Sequence, residues 1–317
     1  MNKATEYAIE VENLTKSYGD LLAVNDISFT VGKGEVFALL GPNGAGKTTT
    51  VEIIDTIRTP TSGKVTLLGM DVTKYKHDIV HRIGVLPQGF TSFDRITVRE
   101  TLQYYSRLYH CRNTDIDGLI GLVNLTDKRD EQYKNLSGGL KQRLGIAISL
   151  VNDPEVVFLD EPTTGLDPRA RHEVWQVLQG LKKAGKTVLL TTHYMEEAEL
   201  LADMVAIISR GKIIAMGSPV ELIHNNADTQ ILTLQSADEK VFEIVRRIGF
   251  EPVHTNHNNI RIRVEHTEDV QQILSAIKDA GSFYRGLDVR KPNLEEVFLK
   301  LTGEALRDGY VEGGEAE

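Results

Sequence analysis

The sequence predicts an α/β fold organised on a parallel sheet, followed by a small second domain of α+β, ferredoxin-like order. Three observations carry this. The runs VFALL, IGVLP, VVFL and TVLLTT are continuously apolar and each ends in polar or Gly-rich residues, the pattern of strands buried on both faces of a parallel sheet. The stretch Gly41 to Thr49, GPNGAGKTT, lies between a strand-like EVFALL and a helix-like TTTVEIIDTI, which is the context that a glycine-rich strand-to-helix turn requires. Towards the C-terminus the runs TQILTLQ, EKVFEIVRRIG, EPVHTNHNN, IRIRVEH, EDVQQILSAIKDAG and FYRGLDVR read as strand, helix, strand, strand, helix, strand.

The order along the chain sets the expected domains: a large one over residues 1–228, a small one over 229–307, and an acidic, Gly-rich tail over 308–317 that reads as disordered. A chain of 317 residues with 41% hydrophobic and 26% charged residues has the composition of an ordinary globular protein. No stretch reaches the roughly 18 apolar residues that span a bilayer. The N-terminal MNKATEYAIEVEN lacks a signal-peptide core, and Cys111 is the only cysteine; both features point to the cytoplasm. With 36 Lys and Arg against 45 Asp and Glu, the net charge of −9 disfavours nucleic acid as the principal partner.

Gly41 to Thr49 is a full match to G-x-x-x-x-G-K-[ST]. Gly41, Gly44 and Gly46 let the backbone wrap an anion, Lys47 reaches β- and γ-phosphates as a mobile charge, and the Thr48 hydroxyl is a ligand for Mg²⁺. Residues Asn43, Gly44, Ala45, Gly46, Lys47, Thr48 and Thr49 therefore form the expected phosphate cradle, and a nucleoside triphosphate is implied. VVFLDE supplies the complementary carboxylates. Asp160, at the strand end, is placed to hold Mg²⁺ through water, and Glu161 to act as general base on an attacking water. In an open α/β sheet ligands sit beyond the carboxyl ends of the strands, so the four apolar runs would bring the phosphate loop, Gln88, Asp160 with Glu161, and His193 to one edge.

The order GPNGAGKT, LPQ, LSGG, VVFLDEP, GLDP and LLTTH resembles the nucleotide-binding subunit of ATP-binding-cassette (ABC) transporters, over about residues 7–219. The resemblance implies a P-loop core of the ABC ATPase type, with a helical subdomain at about 89–150, that hydrolyses ATP with Mg²⁺. In that family each ATP lies between the phosphate loop of one subunit and the LSGGQ signature of a head-to-tail partner. Ser137, Gly138 and Gly139 would then serve the γ-phosphate of the partner's nucleotide, in a homodimer or a heterodimer of ATPase subunits. Carried over in the same way, Tyr18 would stack on adenine, Gln88 would sense Mg²⁺ and the membrane partner, Asp167 would reach across the dimer, and His193 would contact the γ-phosphate. The fifth signature position departs from the family's glutamine: it is Leu140.

TVRETLQYYSRLYHC opens with Thr97 and Glu100 at capping-box spacing, with Leu102, Tyr105 and Leu108 as an apolar stripe. In the family the corresponding helical subdomain receives a cytoplasmic helix of a separate membrane permease. That places the protein at the inner face of the cell membrane, held there by the permease. The ending NLEEVFLKLTG, with Asn293 and Glu296 at capping spacing, resembles ATPases of the drug and lipid export branch. Transport ATPase is the favoured function. A soluble ABC ATPase acting on nucleic acid or ribosomes is the alternative, opposed by the acidic balance and the single phosphate loop. A small-molecule kinase would leave the signature and His193 without work.

Overall fold

Six strands form the central sheet, in the order Lys212–Gly217, Met204–Ser209, Val36–Leu40, Thr187–Thr192, Val156–Asp160 and Ile83–Leu86. The computed structural model describes residues 7–111, 113–226, 230–255, 259–290 and 292–302, so the expected tail at 308–317 lies outside the described residues. All neighbouring pairs in the sheet are parallel except the antiparallel edge pair of Lys212–Gly217 with Met204–Ser209. Val36–Leu40, Val156–Asp160 and Thr187–Thr192 are buried at every position, as helices on one face and a second layer on the other require. Register sets the site: Leu40 pairs with Thr192, Asp160 with Thr191, and Leu86 with Leu159. The residues that follow these strands therefore emerge side by side at one edge.

A second, antiparallel sheet in the order Leu21–Gly32, Tyr7–Tyr18, Ser62–Leu67 and Met70–Asp71 lies in the same unit. Its inward side chains, among them Ile9, Val11, Leu14, Ile27 and Val65, share one core with Phe37, Leu39 and Phe158 of the central sheet. Phe29 stacks on Phe37 with ring centroids 5.0 Å apart. Tyr18 ends one of these strands, beside the turn at Gly19.

The helical segment comprises Val98–Leu108, Ile116–Leu122 and Gly138–Ser149. The expected capping box is formed: Glu100 N–H donates to Thr97 Oγ1 at 3.2 Å, and Thr97 N–H to Glu100 Oε2 at 2.8 Å. The apolar stripe is shorter than its spacing suggests. Val98, Thr101, Leu102 and Ser106 face inward, whereas Leu108 is 57% exposed, because the helix ends there and the chain turns at His110 with φ 57°.

The chain divides into two compact units, Met1–Pro219 and Val220–Glu317. The division falls ahead of the expected boundary at residue 228, since the helix Pro219–Asn226 is tied into the second unit by Lys300 Nζ donating to the Asn226 carbonyl at 2.7 Å. The second unit has strands in the order Pro252–Thr255, Asn259–Val264, Gln230–Gln235 and Gly286–Arg290, all antiparallel. Helices Glu239–Arg247 and Thr267–Asp279 supply Val241, Val245, Ile273 and Ile277 to a core with Leu232, Leu234, Ile260, Ile262 and Val264. This is the ferredoxin-like arrangement. A last helix, Leu294–Thr302, starts at Asn293, whose Oδ1 accepts the Glu296 N–H at 3.2 Å.

Candidate active site

The glycines of the phosphate loop are there for space as well as torsion. Gly46 has φ 101°, and a Cβ on it would lie 2.4 Å from the Ala23 carbonyl oxygen; one on Gly41 would lie 2.2 Å from that of Ile208. Asn43 and Gly44 are exposed, Ala45 is buried, and Thr49 is half-buried. The helix Lys47–Ile54 begins at Gly46 with no side-chain cap. Its first N–H groups are left for an anion, and the positive end of its dipole points the same way.

Lys47 is 4% exposed and folds back over its own loop, its Nζ donating to the carbonyls of Gly41 at 2.9 Å and Pro42 at 3.1 Å. The same Nζ lies 3.2 Å from Glu161 Oε1. Thr48 Oγ1 donates to Asp160 Oδ2 at 3.0 Å, and Thr191 Oγ1 donates to Asp160 Oδ1. Burial raises the Asp160 carboxyl above its ordinary value, against the Thr191 and Thr48 hydroxyls that stabilise its anion.

Glu161 is held from several sides. Its Oε2 accepts from Thr164 Oγ1 at 2.9 Å and Gln88 Nε2 at 3.2 Å, and His193 Nδ1 stands 3.4 Å away. The His193 imidazole, with Lys47 and Thr164 behind it, brings the carboxyl down to about 2 against the opposing effect of burial. Its backbone has φ 48°, a left-handed conformation that is uncommon outside glycine. The strand end fixes it there, the Glu161 N–H donating to Thr191 Oγ1 at 3.0 Å. Strain of this kind persists where the surroundings over-determine the backbone.

Lys47, Thr48, Gln88, Asp160, Glu161 and His193 thus form one cluster. A hydroxyl beside a carboxylate is a hard-oxygen donor pair suited to Mg²⁺, which takes one or two protein ligands and completes its shell with phosphate and water. Among the described residues no group of three or more His, Cys, Asp or Glu is arranged for a metal. Lys47, turned inward on the loop, and His193 Nδ1, buried without a hydrogen-bond partner, fit a polyanion entering between them.

The other predicted residues lie elsewhere. Ser137 caps the helix Gly138–Ser149 by accepting the Leu140 N–H, and Asp167 caps Pro168–Lys183 by accepting the Ala170 N–H at 2.9 Å. A Cβ on Gly139 would fall 2.7 Å from that of Ala170. Ser137, Gly138, Gly139 and Asp167 therefore form a second cluster, with Ser137, Gly138 and Asp167 exposed. Among the described residues no hydrogen bond joins this cluster to Gly41–Thr49. Tyr18 stands apart again on the antiparallel sheet, 39% exposed, with Lys16 Nζ at 5.1 Å and the Arg58 guanidinium at 5.6 Å from its ring centroid. Sequence reasoning missed Thr164 and Thr191. Their only signal is position, three residues after Glu161 and two before His193.

Comparison with known proteins gives a consistent picture. The ABC transporter family model matches residues 24–164, and that of the DrrA1-3-like ATP-binding protein C-terminal domain matches 218–302. The chain is 41% identical over 306 residues to Nod factor export ATP-binding protein I of Rhizobium meliloti, covering 95% of this chain and 90% of that protein. Among solved structures, the ATP-binding subunit of an ABC transporter superposes with a TM-score of 0.60 at 26% identity over 69% of this chain and 92% of that one. A Clostridium perfringens subunit of the cbiONQ ABC transporter complex does so with a TM-score of 0.61 at 27% identity, over 77% and 94%.

Proposed function

This chain belongs to the ATP-binding subunits of ABC transporters, which hydrolyse ATP with Mg²⁺ to drive transport, and from that premise we propose how its residues divide the work. The observation that carries the proposal is the single cluster in which Lys47, Thr48, Asp160, Glu161, Gln88 and His193 converge at the carboxyl edge of the sheet.

ATP takes the loop Gly41–Thr49, with adenine against Tyr18. The Thr48 hydroxyl and the Asp160 carboxylate, together with Gln88, would hold Mg²⁺, which would neutralise phosphate charge when bound. Glu161 takes a proton from the attacking water. At about 2 its carboxyl is ionised at any physiological pH but weakly basic. Drawing the Lys47 charge onto phosphate removes a cation from beside Glu161 and raises its basicity towards the range where a general base is effective. His193 passes from Glu161 to the γ-phosphate. Ser137, Gly138 and Asp167, which are exposed, complete with Gly139 the site of a second ATPase subunit; no hydrogen bond among the described residues joins them to their own phosphate loop.

Among the described residues no helix is long and apolar enough to cross a membrane; in this reading, the work is delivered to a separate permease. Exposed Phe93 and Tyr104, in edge-to-face contact at 5.2 Å, offer an apolar surface for it. The relative's printed role in Nod factor export and the matched C-terminal domain support export of a drug, lipid or other small hydrophobic molecule. Residues 1–219 act as the ATPase, and the ferredoxin-like unit as an accessory to dimer or permease.

The test is Glu161→Gln, which keeps the shape and removes the proton acceptor. ATP binding should persist while hydrolysis falls by roughly 10²- to 10⁴-fold. Near-normal turnover would overturn the assignment of Glu161.

A further inference from the structure

A catalytic imidazole is ordinarily oriented by a hydrogen bond to its second nitrogen. His193 departs from that device, since its Nδ1 is buried with no hydrogen-bond partner and faces Glu161 Oε2 only at 3.4 Å. An approach of 3.4 Å is long for a hydrogen bond, so packing also bears on the orientation of the ring. Tyr194 packs on it with ring centroids 4.1 Å apart and planes inclined by 39°. On Tyr194 in turn lies the Arg171 guanidinium, 4.0 Å from the ring centroid. The order across the site is therefore guanidinium, phenol, imidazole, carboxylate.

Each end of this column is anchored. Tyr194 N–H donates to Thr192 Oγ1 at 2.9 Å, at the end of the central strand that carries His193. Arg171 sits one turn into the helix that Asp167 caps, its own N–H donating to the Asp167 carbonyl at 2.9 Å. Arg171 Nε is buried without a hydrogen-bond partner, so the guanidinium is engaged here through its face. Burial raises the carboxyl of Glu197 above its ordinary value, opposed by hydrogen bonds from Thr163 Oγ1 at 2.9 Å and Trp175 Nε1 at 3.0 Å and by the charge of Arg171. A cation over an aromatic face is attracted most strongly when both are partly desolvated, and Arg171 and Tyr194 are both half-buried.

We propose that Arg171 and Tyr194 are positioning residues for His193: the stacked pair fixes the imidazole opposite Glu161 and couples its orientation to the helix begun by Asp167. This rests on the reading of His193 as a contact to the γ-phosphate. It gives the Asp167 loop, which faces a second subunit in that reading, a packed route to the hydrolytic cluster of its own chain.

The experiment measures kcat and KM for ATP, ATP dissociation constants and thermal unfolding on the full-length chain with Tyr194→Leu, Tyr194→Phe, Arg171→Gln, the Tyr194→Leu/Arg171→Gln double variant and His193→Ala. Tyr194→Leu removes the ring and should lower kcat by about 10- to 10²-fold, the scale of a displaced catalytic group, with ATP affinity within about twofold of the parent. Tyr194→Phe keeps the ring and should restore kcat. The double variant should be no worse than Tyr194→Leu, because the two residues act as one unit. Should Tyr194→Leu not fold, Arg171→Gln, at a half-buried helix position, carries the same test on kcat. Parental kcat in Tyr194→Leu or Arg171→Gln, loss in Tyr194→Phe equal to that in Tyr194→Leu, or losses that multiply in the double variant would each overturn the proposal. If His193→Ala loses turnover while Tyr194→Leu keeps it, the column fails and the site assignment stands. Parental turnover in His193→Ala would instead remove the assignment on which the column rests.

Discussion

Lys47 Nζ and Glu161 Oε1 face each other at 3.2 Å with both side chains 5% exposed or less, so the residue assigned to phosphate and the residue assigned to water neutralise one another before nucleotide arrives. Replacing Glu161 by Gln takes the adjacent carboxylate from a buried ammonium, which keeps the Gly41 and Pro42 carbonyls and the nearby charge of Asp160. Without added ATP the variant should lose about 1–3 kcal/mol, less than the roughly 3–5 expected for a buried charge left with no partner. A nucleotide's phosphates would replace the missing charge, so the rise in melting temperature on adding ATP should be larger in Glu161→Gln than in the parent. Equal rises in differential scanning fluorimetry would show that the two residues do not share the Lys47 charge in this way.

Asp55 gives a pH dependence of opposite origin to that of Glu161. Burial pushes its carboxyl up to about 7, and the negative charges of Glu52 and Asp160 add to the effect. The folded chain holds the proton up to that pH, while the unfolded chain releases it near 3.9. Between those values the native state binds more protons, so stability falls as pH rises from about 4 to 7 and then levels. Asp55→Asn keeps an acceptor for the Ile57 N–H, which now donates to Asp55 Oδ1 at 3.1 Å, and removes the titration. The variant should match the parent near pH 4 and exceed it near pH 8 by up to about 4 kcal/mol, about three pKa units at about 1.4 kcal/mol each. Parallel urea-melt profiles across that range would contradict the assignment.

The separation of the Ser137 cluster from Gly41–Thr49 is testable with two damaged chains. Lys47→Ala removes the phosphate-loop charge. Gly138→Asp places a carboxylate where the γ-phosphate of a partner would lie, and the position has room for it, since a Cβ there meets only Leu166 Cδ2, at 3.5 Å. Each homodimer should be nearly inactive. A heterodimer concentrates both lesions in one composite site and leaves the other intact, so ATP-dependent pairing should be stronger in it than in either homodimer. If the signature served its own chain, every site would carry one lesion and mixing would rescue nothing.

A chain ending at Pro219 retains every residue assigned to nucleotide. It should bind ATP within about threefold of the full chain, as expected when two units carry separate cores, while dimer lifetime or permease-stimulated turnover falls. Outright loss of nucleotide affinity in a truncated chain that still folds would make the ferredoxin-like unit part of the ATPase itself.

The legible parts of this protein were those whose pattern is local. Four continuous apolar runs announced four central strands, and the residues just beyond them, Gly41, Gln88, Glu161 and His193, were readable from position alone. The antiparallel sheet has a weaker signal: buried and exposed residues alternate over much of Leu21–Gly32, which pairs locally with Tyr7–Tyr18, but the pairing of Tyr7–Tyr18 with Ser62–Leu67 joins segments distant in sequence. Three features of the cluster have no local signature. The left-handed backbone of Glu161, the hydroxyl of Thr191 that fixes it, and the Arg171 guanidinium over Tyr194 all arise from segments brought together only by the folded chain. The division at Pro219 also has no local signal, the helix Pro219–Asn226 being bonded at Asn226 by Lys300, 74 residues further on.

Tyr18 lies on the antiparallel sheet and Lys47 follows a strand of the central one. With Tyr18 holding the base as proposed, base and phosphates would be met by separate layers: a ring face tolerates any base, whereas the loop at Gly41–Thr49 would meet phosphate charge. The protein would then discriminate by the number of phosphates more than by the identity of the base.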